Sequence, residues 1–243
     1  MNRNLLLFII AFCFVSCLER RAKIDYNNEV DTVATIANFK QDTSKVLVAD
    51  LPVRFDSTNI LLYAVRLVDL EKQGRKRSYD SYGYSSSNYS ASYFRDDVLS
   101  QNMVNLVFED PDGKRKTLTN HQMTITRVLY LRDIFKSTTQ SYLLYTVYDR
   151  DTNGDGQFDG DDLQSLYLSR VDGSEFKKIT KELHEYYDYQ ILKDDNKLYF
   201  RTREDINQDG KLNNEDQFHY YQIKFRNNGY LVSEYNPLDV FAE

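Results

Sequence analysis

Two stretches of this chain repeat one another 54 residues apart: Tyr145 and Tyr167 recur as Tyr199 and Tyr221 at the same separation, and Asp155 recurs as Asp209. A duplicated unit of this length cannot bury its apolar side alone, and it folds by stacking on its copies. Apolar and polar residues alternate along short runs, which is the period of a half-buried strand rather than of a helix. Strands are expected at 46–53, 60–67, 104–108 and 115–119 in a first unit, and at 123–130, 142–148, 165–169 and 176–180 in a second. The third unit has them at 186–192, 197–202, 219–225 and 230–235. Asp112-Gly113, Asp172-Gly173 and Asn228-Gly229 fall where the third strand of each unit turns into the fourth, and such dipeptides supply the positive φ that tight hairpins need. Twenty Tyr and no Trp suit the same class, because Tyr packs its ring on a sheet and keeps its hydroxyl wet.

The long middle connection of the second and third units has a composition of its own. DTNGDGQFDGDD at 151–162 and DINQDGKLNNED at 205–216 put Asp, Asn and Asp at loop positions one, three and five. Gly follows at six, an apolar residue at eight, Asp or Asn at nine and Asp at twelve. Calcium is a hard ion that takes roughly six to eight oxygens, and this spacing aims side-chain oxygens at one point while the glycine lets the backbone reverse. The candidate Ca2+ ligands are Asp151, Asn153, Asp155, Gln157, Asp159 and Asp162, then Asp205, Asn207, Asp209, Lys211, Asn213 and Asp216. Any tight turn favours these residue types; recurrence of the whole pattern, with Phe158 and Leu212 at position eight, points to the ion. Asp159 and Asp161 add acid to the first loop, which is expected to be the tighter site. The loops resemble those of EF-hands, and Asp at position twelve brings them closer to the dockerin variant. Their flanks alternate with period two, so the helices of an EF-hand are not expected.

LYLSRVDGSEFKKIT at 166–180 resembles the blade motif of TolB-like β-propellers, in which a strand, an Asp-Gly turn and a strand ending in Leu-Thr recur. Residues 107–119 repeat it with Asp112-Gly113 and Leu118-Thr119, and DDNKLYF at 194–200 resembles the turn and second strand of the next blade. The resemblance covers roughly 46–235 and implies an all-β fold of antiparallel four-stranded propeller-like repeats, in three units with the calcium loops between strands. Closed propellers use more blades than three. An open stack, a distorted closed domain and closure by oligomerisation all satisfy the pattern.

Arg3, an apolar run at 5–15 and Ser16-Cys17 read as an export signal, the run being too short to span a bilayer. Phe14-Val15-Ser16-Cys17 resembles the lipobox of bacterial lipoproteins, with Phe14 in place of the usual Leu. The resemblance implies a signal peptide at 1–16 and an acylated Cys17 that holds the mature chain on the membrane; cleavage by the general signal peptidase is the other reading. Cys13 is removed with the signal, so no disulfide forms within the mature chain. Leu18 rather than Asp after Cys17 is similar to the sorting pattern of outer-membrane lipoproteins. Arg20 and Arg21 follow Glu19 where surface-displayed lipoproteins usually carry an acidic patch, so the resemblance implies a periplasm-facing anchor in the bacterial outer membrane. Residues 17–45 then form the lipidated Cys and a polar tether, and 46–243 the β-repeat domain.

The formal net charge of −6 sits largely in the two loops. Nothing basic and clustered suggests nucleic acid; Arg75-Lys76-Arg77 is a short solvated patch. GxSxG, a glycine-rich phosphate loop and HExxH are absent, and His121, His184 and His219 fall in different units, where they read as surface or turn residues. No enzyme is expected. SYDSYGYSSSNYSASYF at 78–94 mixes Tyr with small polar residues, the composition of adaptable recognition loops and also of low-complexity insertions. Tyr79, Tyr82, Tyr84, Tyr89 and Tyr93 are the candidate contacts to a protein or glycan partner. The function expected is a lipid-anchored, calcium-binding module of the cell envelope that binds or scaffolds. The alternatives are an accessory domain of a carbohydrate-active or peptidase system and, by analogy with TolB, an outer-membrane assembly factor.

Overall fold

The alternating runs become three antiparallel sheets in a computed structural model, which describes residues 22–27, 44–70 and 93–241. The first sheet is a meander of β1 (Lys45–Ala49), β2 (Leu61–Asp69), β5 (Asn105–Glu109) and β6 (Arg115–Thr117). The second orders β10 (Lys177–Lys178), β9 (Gln164–Arg170), β8 (Tyr142–Tyr148), β7 (Thr124–Tyr130), β4 (Val98–Met103) and β3 (Tyr93–Arg95). The third is β11 (His184–Leu192), β12 (Lys197–Glu204), β13 (Gln217–Arg226) and β14 (Gly229–Tyr235). All twelve expected strands are present, and the Asp-Gly and Asn-Gly turns lie between the third and fourth strands of each unit, with φ of +79° at Gly113 and +80° at Gly173. Strand β1 stops at Ala49 because Pro52 follows closely and has no N–H to give a ladder. Val53 rejoins Leu62 through an isolated bridge.

Two elements depart from the expected pattern. The hairpin β3–β4 turns on Asp96 and Asp97, both at positive φ, and adds two strands beside β7, so the second sheet has six strands rather than four. Leu99 and Met103 on it are fully buried, and the end of the connection read as a recognition loop is therefore part of a sheet. A seven-residue helix, α1 (Arg132–Thr138), joins β7 to β8 and buries Ile134.

The sheets are layered, with the second in the middle. Leu143, Tyr145 and Val147 of β8 pack with Leu62, Ala64, Leu106 and Phe108 of the first sheet. Tyr142 and Leu144 pack with Leu198, Phe200, Tyr221 and Ile223 of the third. A strand covered on both faces needs a continuous apolar run, which is how 142–148 reads. Among the described residues no core cluster joins the first sheet to the third, and the three layers do not close into a ring. The gapless repeat equates Tyr145 with Tyr199, yet Tyr145 pairs with Tyr167 while Phe200 pairs with Tyr221. This one-residue slip turns Phe200 inward and Tyr199 outward.

Candidate metal sites

The two acidic segments connect corresponding strands, 151–162 between β8 and β9 and 205–216 between β12 and β13, and they fold alike. Position six is a glycine at φ +80° in one (Gly156) and +76° in the other (Gly210), and position four is also left-handed in both, at Gly154 and Gln208. The N–H of position six donates to the first aspartate, Gly156 to Asp151 Oδ2 at 2.7 Å and Gly210 to Asp205 Oδ2 at 2.8 Å. Asp155 N donates to Asn153 Oδ1 and Asp209 N to Asn207 Oδ1. Gln157 N donates to Asp155, and Lys211 N to Asp209, at 2.8 Å each. Asp159 N and Asn213 N donate to the Oδ2 atoms of Asp162 and Asp216. Five backbone-to-side-chain bonds thus recur at equivalent positions, the fifth being from position eleven to position nine.

The loops differ in which oxygens are satisfied. Asp162 is buried, but Oδ1 accepts from Thr152 N at 2.7 Å and Oδ2 from Asp159 N at 2.9 Å. Burial raises its pKa against the pull of those N–H groups. In the second loop Asp205 is 5 % exposed, and its Oδ1, like Asp216 Oδ1, is buried with no hydrogen-bond partner. An acceptor in that state costs on the order of 1–3 kcal/mol, and more for a charged group. The first loop is richer in acid; the oxygens without donors belong to the second. An all-oxygen set in which Asp205 and Asp216 each keep one lone oxygen fits a hard divalent cation.

A third element completes the arrangement. Residues 22–27, within the segment read as a polar tether, lie across both loops as a strap. Lys23 N donates to Asp161 O at 3.0 Å, Ile24 N to Gly210 O at 3.0 Å and Asp25 N to Thr152 O at 2.7 Å. Lys23 pairs with Lys211 in an isolated bridge, Ile24 packs with Leu163 and Leu212, and Tyr26 donates its hydroxyl to Asp205 Oδ2 at 3.0 Å. Burial and that bond push the Tyr26 phenol up to about 12. Ala22, Ile24 and Tyr26 alternate with polar residues over only six positions, too short a run to stand out from the polar segment around it, which is why this contact is hidden in the sequence.

His184 and His219 are likewise drawn together by register, while His121 is exposed, as read. His184 of β11 faces Glu204 of β12, and Thr202 of β12 faces His219 of β13, so all four share one face of the third sheet. The ring centroids of His184 and His219 are 4.7 Å apart, correcting their reading as scattered surface or turn residues. His184 is buried, and burial and the adjacent His219 lower its pKa. Cys17, Tyr79, Tyr82, Tyr84 and Tyr89 lie outside the described residues, and Tyr93 opens the edge strand β3. No helix among the described residues is long and apolar enough to cross a membrane. No family model, curated protein or solved structure matches this chain.

Proposed function

We propose that this chain is a calcium-binding module, held by a lipid on Cys17 in the bacterial cell envelope, that binds or scaffolds a protein or glycan partner. The observation that carries the calcium reading is the pair of buried, donorless oxygens at positions one and twelve of the second loop, Asp205 Oδ1 and Asp216 Oδ1. Each of these carboxylates is held by donors at Oδ2 and keeps one buried oxygen with none, and a divalent ion ligated by those oxygens would remove the cost of leaving them bare. The shared hydrogen bonding of the first loop extends the reading to Asp151, Asn153, Asp155, Asp159 and Asp162. With both loops filled, the connections β8–β9 and β12–β13 and the strap over them become one rigid end of the layered sheets. A rigid, anchored end is what a scaffold presents.

Thermal melting with Ca2+, Mg2+ or a chelator tests this. A hundredfold excess of Ca2+ over the dissociation constant adds about 2.7 kcal/mol per site, and Asp151→Ala with Asp205→Ala removes the shift. A melt indifferent to calcium and chelator returns both loops to ordinary turns. The anchor is tested separately: Cys17→Ser moves the protein from the membrane pellet to the soluble fraction, and a variant that stays in the pellet refutes lipidation.

A further inference from the structure

We infer that His184, His219 and Glu204 form a second, chemically distinct metal site, selective for zinc and other nitrogen-seeking transition ions, on the inward face of the third sheet beside the second acidic loop. Nitrogen and oxygen ligand atoms from the three side chains all lie within 4.8 Å of one another. Glu204 Oε2 stands between the two rings, 2.7 Å from His219 Nε2 and 3.7 Å from His184 Nε2. Zinc bonds of roughly 2.0–2.2 Å place tetrahedral ligands about 3.4 Å apart, and the two observed separations bracket that value.

The other nitrogens are already engaged, as metal-bound histidines require. His184 Nδ1 is 3.0 Å from Thr202 Oγ1, and His219 Nδ1 is 3.0 Å from Glu234 Oε1. Glu234 is in turn held by Lys181 Nζ at 2.8 Å. Partners of this kind fix the tautomer and ring plane and leave Nε2 as the ligating atom. A metal ion bound at the Nε2 atoms and at Glu204 Oε2 satisfies all three ligands with both rings neutral.

Two imidazoles and one carboxylate are a borderline set that suits Zn2+ and does not suit Ca2+, which takes oxygen. The site therefore does not compete with the loops for the same ion, although Glu204 directly precedes Asp205. Three protein ligands leave a fourth position open, and the partly exposed Glu204 places it toward solvent. Water or a carboxylate of a partner is the ligand that position takes.

The test is a zinc titration of the full chain by calorimetry, run on the wild type with saturating Ca2+ and on Asp151→Ala/Asp205→Ala without it. One Zn2+ per chain is expected in both. His184→Ala/His219→Ala should abolish the uptake, and Glu204→Gln, whose side chain reaches solvent, should weaken it at least about tenfold with the circular dichroism spectrum intact. Glu234→Gln, a positioning change, should weaken it by about 10–100-fold and leave the stoichiometry at one. No uptake by the wild type, or uptake unchanged in the double histidine variant, overturns the site. Zinc uptake that persists in the loop variant keeps it standing even if the calcium reading fails.

Discussion

The carbonyl oxygen of Ile24 lies 2.4 Å from the point a β-carbon on Gly210 would occupy, and the amide of Ile24 donates to the Gly210 carbonyl at 3.0 Å. The strap and the second loop therefore fit only because position six has no side chain. Gly156, its counterpart in the first loop, has the same left-handed backbone but nothing within 4 Å. Gly156→Ala is expected to cost only the backbone term, about 1–2 kcal/mol. Gly210→Ala should cost at least about 1 kcal/mol more, as the strap is displaced and its hydrogen bond lost. Denaturant unfolding of the two variants checks the difference, and equal losses would mean the strap contributes nothing.

Removing charge from the second loop should act in opposite directions with and without ion. Asp216→Asn removes the charge from a carboxylate whose Oδ1 is buried without a donor, so the chelated variant should be more stable than the chelated wild type by roughly 1 kcal/mol. The same change removes a ligand, so the calcium-dependent gain should fall away. Melting curves of both proteins in calcium and in chelator give the four values needed; a variant less stable in chelator sinks the argument from the donorless oxygen.

The strands were legible because each unit writes period two between turn signals, and 142–148 is apolar but for Thr146 because β8 is covered on both faces. The loops were legible because their oxygens are local in sequence. What was hidden shares one cause, pairing between distant residues. His184, Glu204 and His219 meet only through the register of β11, β12 and β13. Ile24 finds Leu212 across the whole chain. The hairpin β3–β4 escaped notice because its alternation breaks at Gln101, where φ is +146° and the register with β7 shifts, and α1 is too short to show a helical stripe.

Adjacent residues should respond alike in the middle sheet and differently in an outer one. Leu143 and Leu144 face opposite cores, so alanine at either should cost about 2–5 kcal/mol. In β2, Leu62→Ala should cost as much, whereas its partly exposed neighbour Leu61 should lose about 1 kcal/mol or less. Chemical denaturation of the four variants reads this pattern, and a tolerated Leu144→Ala would argue against the contact between second and third sheets.

Alkali should unfold the protein above pH 10. Burial raises the phenols of Tyr145 and Tyr167, the latter also through Asp149, whose Oδ2 accepts its hydroxyl at 2.8 Å. Their folded pKa values exceed the unfolded value near 10, so the stability they contribute is complete below that pH and is lost as pH rises past it. Tyr145→Phe loses the contact to Ser169, 2.6 Å long, at about 1 kcal/mol near neutrality, and should make the alkaline loss less steep. Tyrosinate absorbance and circular dichroism followed together check this; ionisation of every tyrosine with the fold intact would contradict it.

Tyr26 reaches Asp205 across 179 residues of chain, and this separation fixes when the contact can form. As the polypeptide is made, the strap emerges before the loops it crosses, which are completed only at 162 and 216. Closing so long a span carries a large share of the loop-closure entropy, which stacked sheets must already have reduced before the contact repays it. The strap is thus expected to settle only after the sheets it lies across have stacked. The amide proton of Ile24 records, in its exchange with water, whether a given molecule has finished folding.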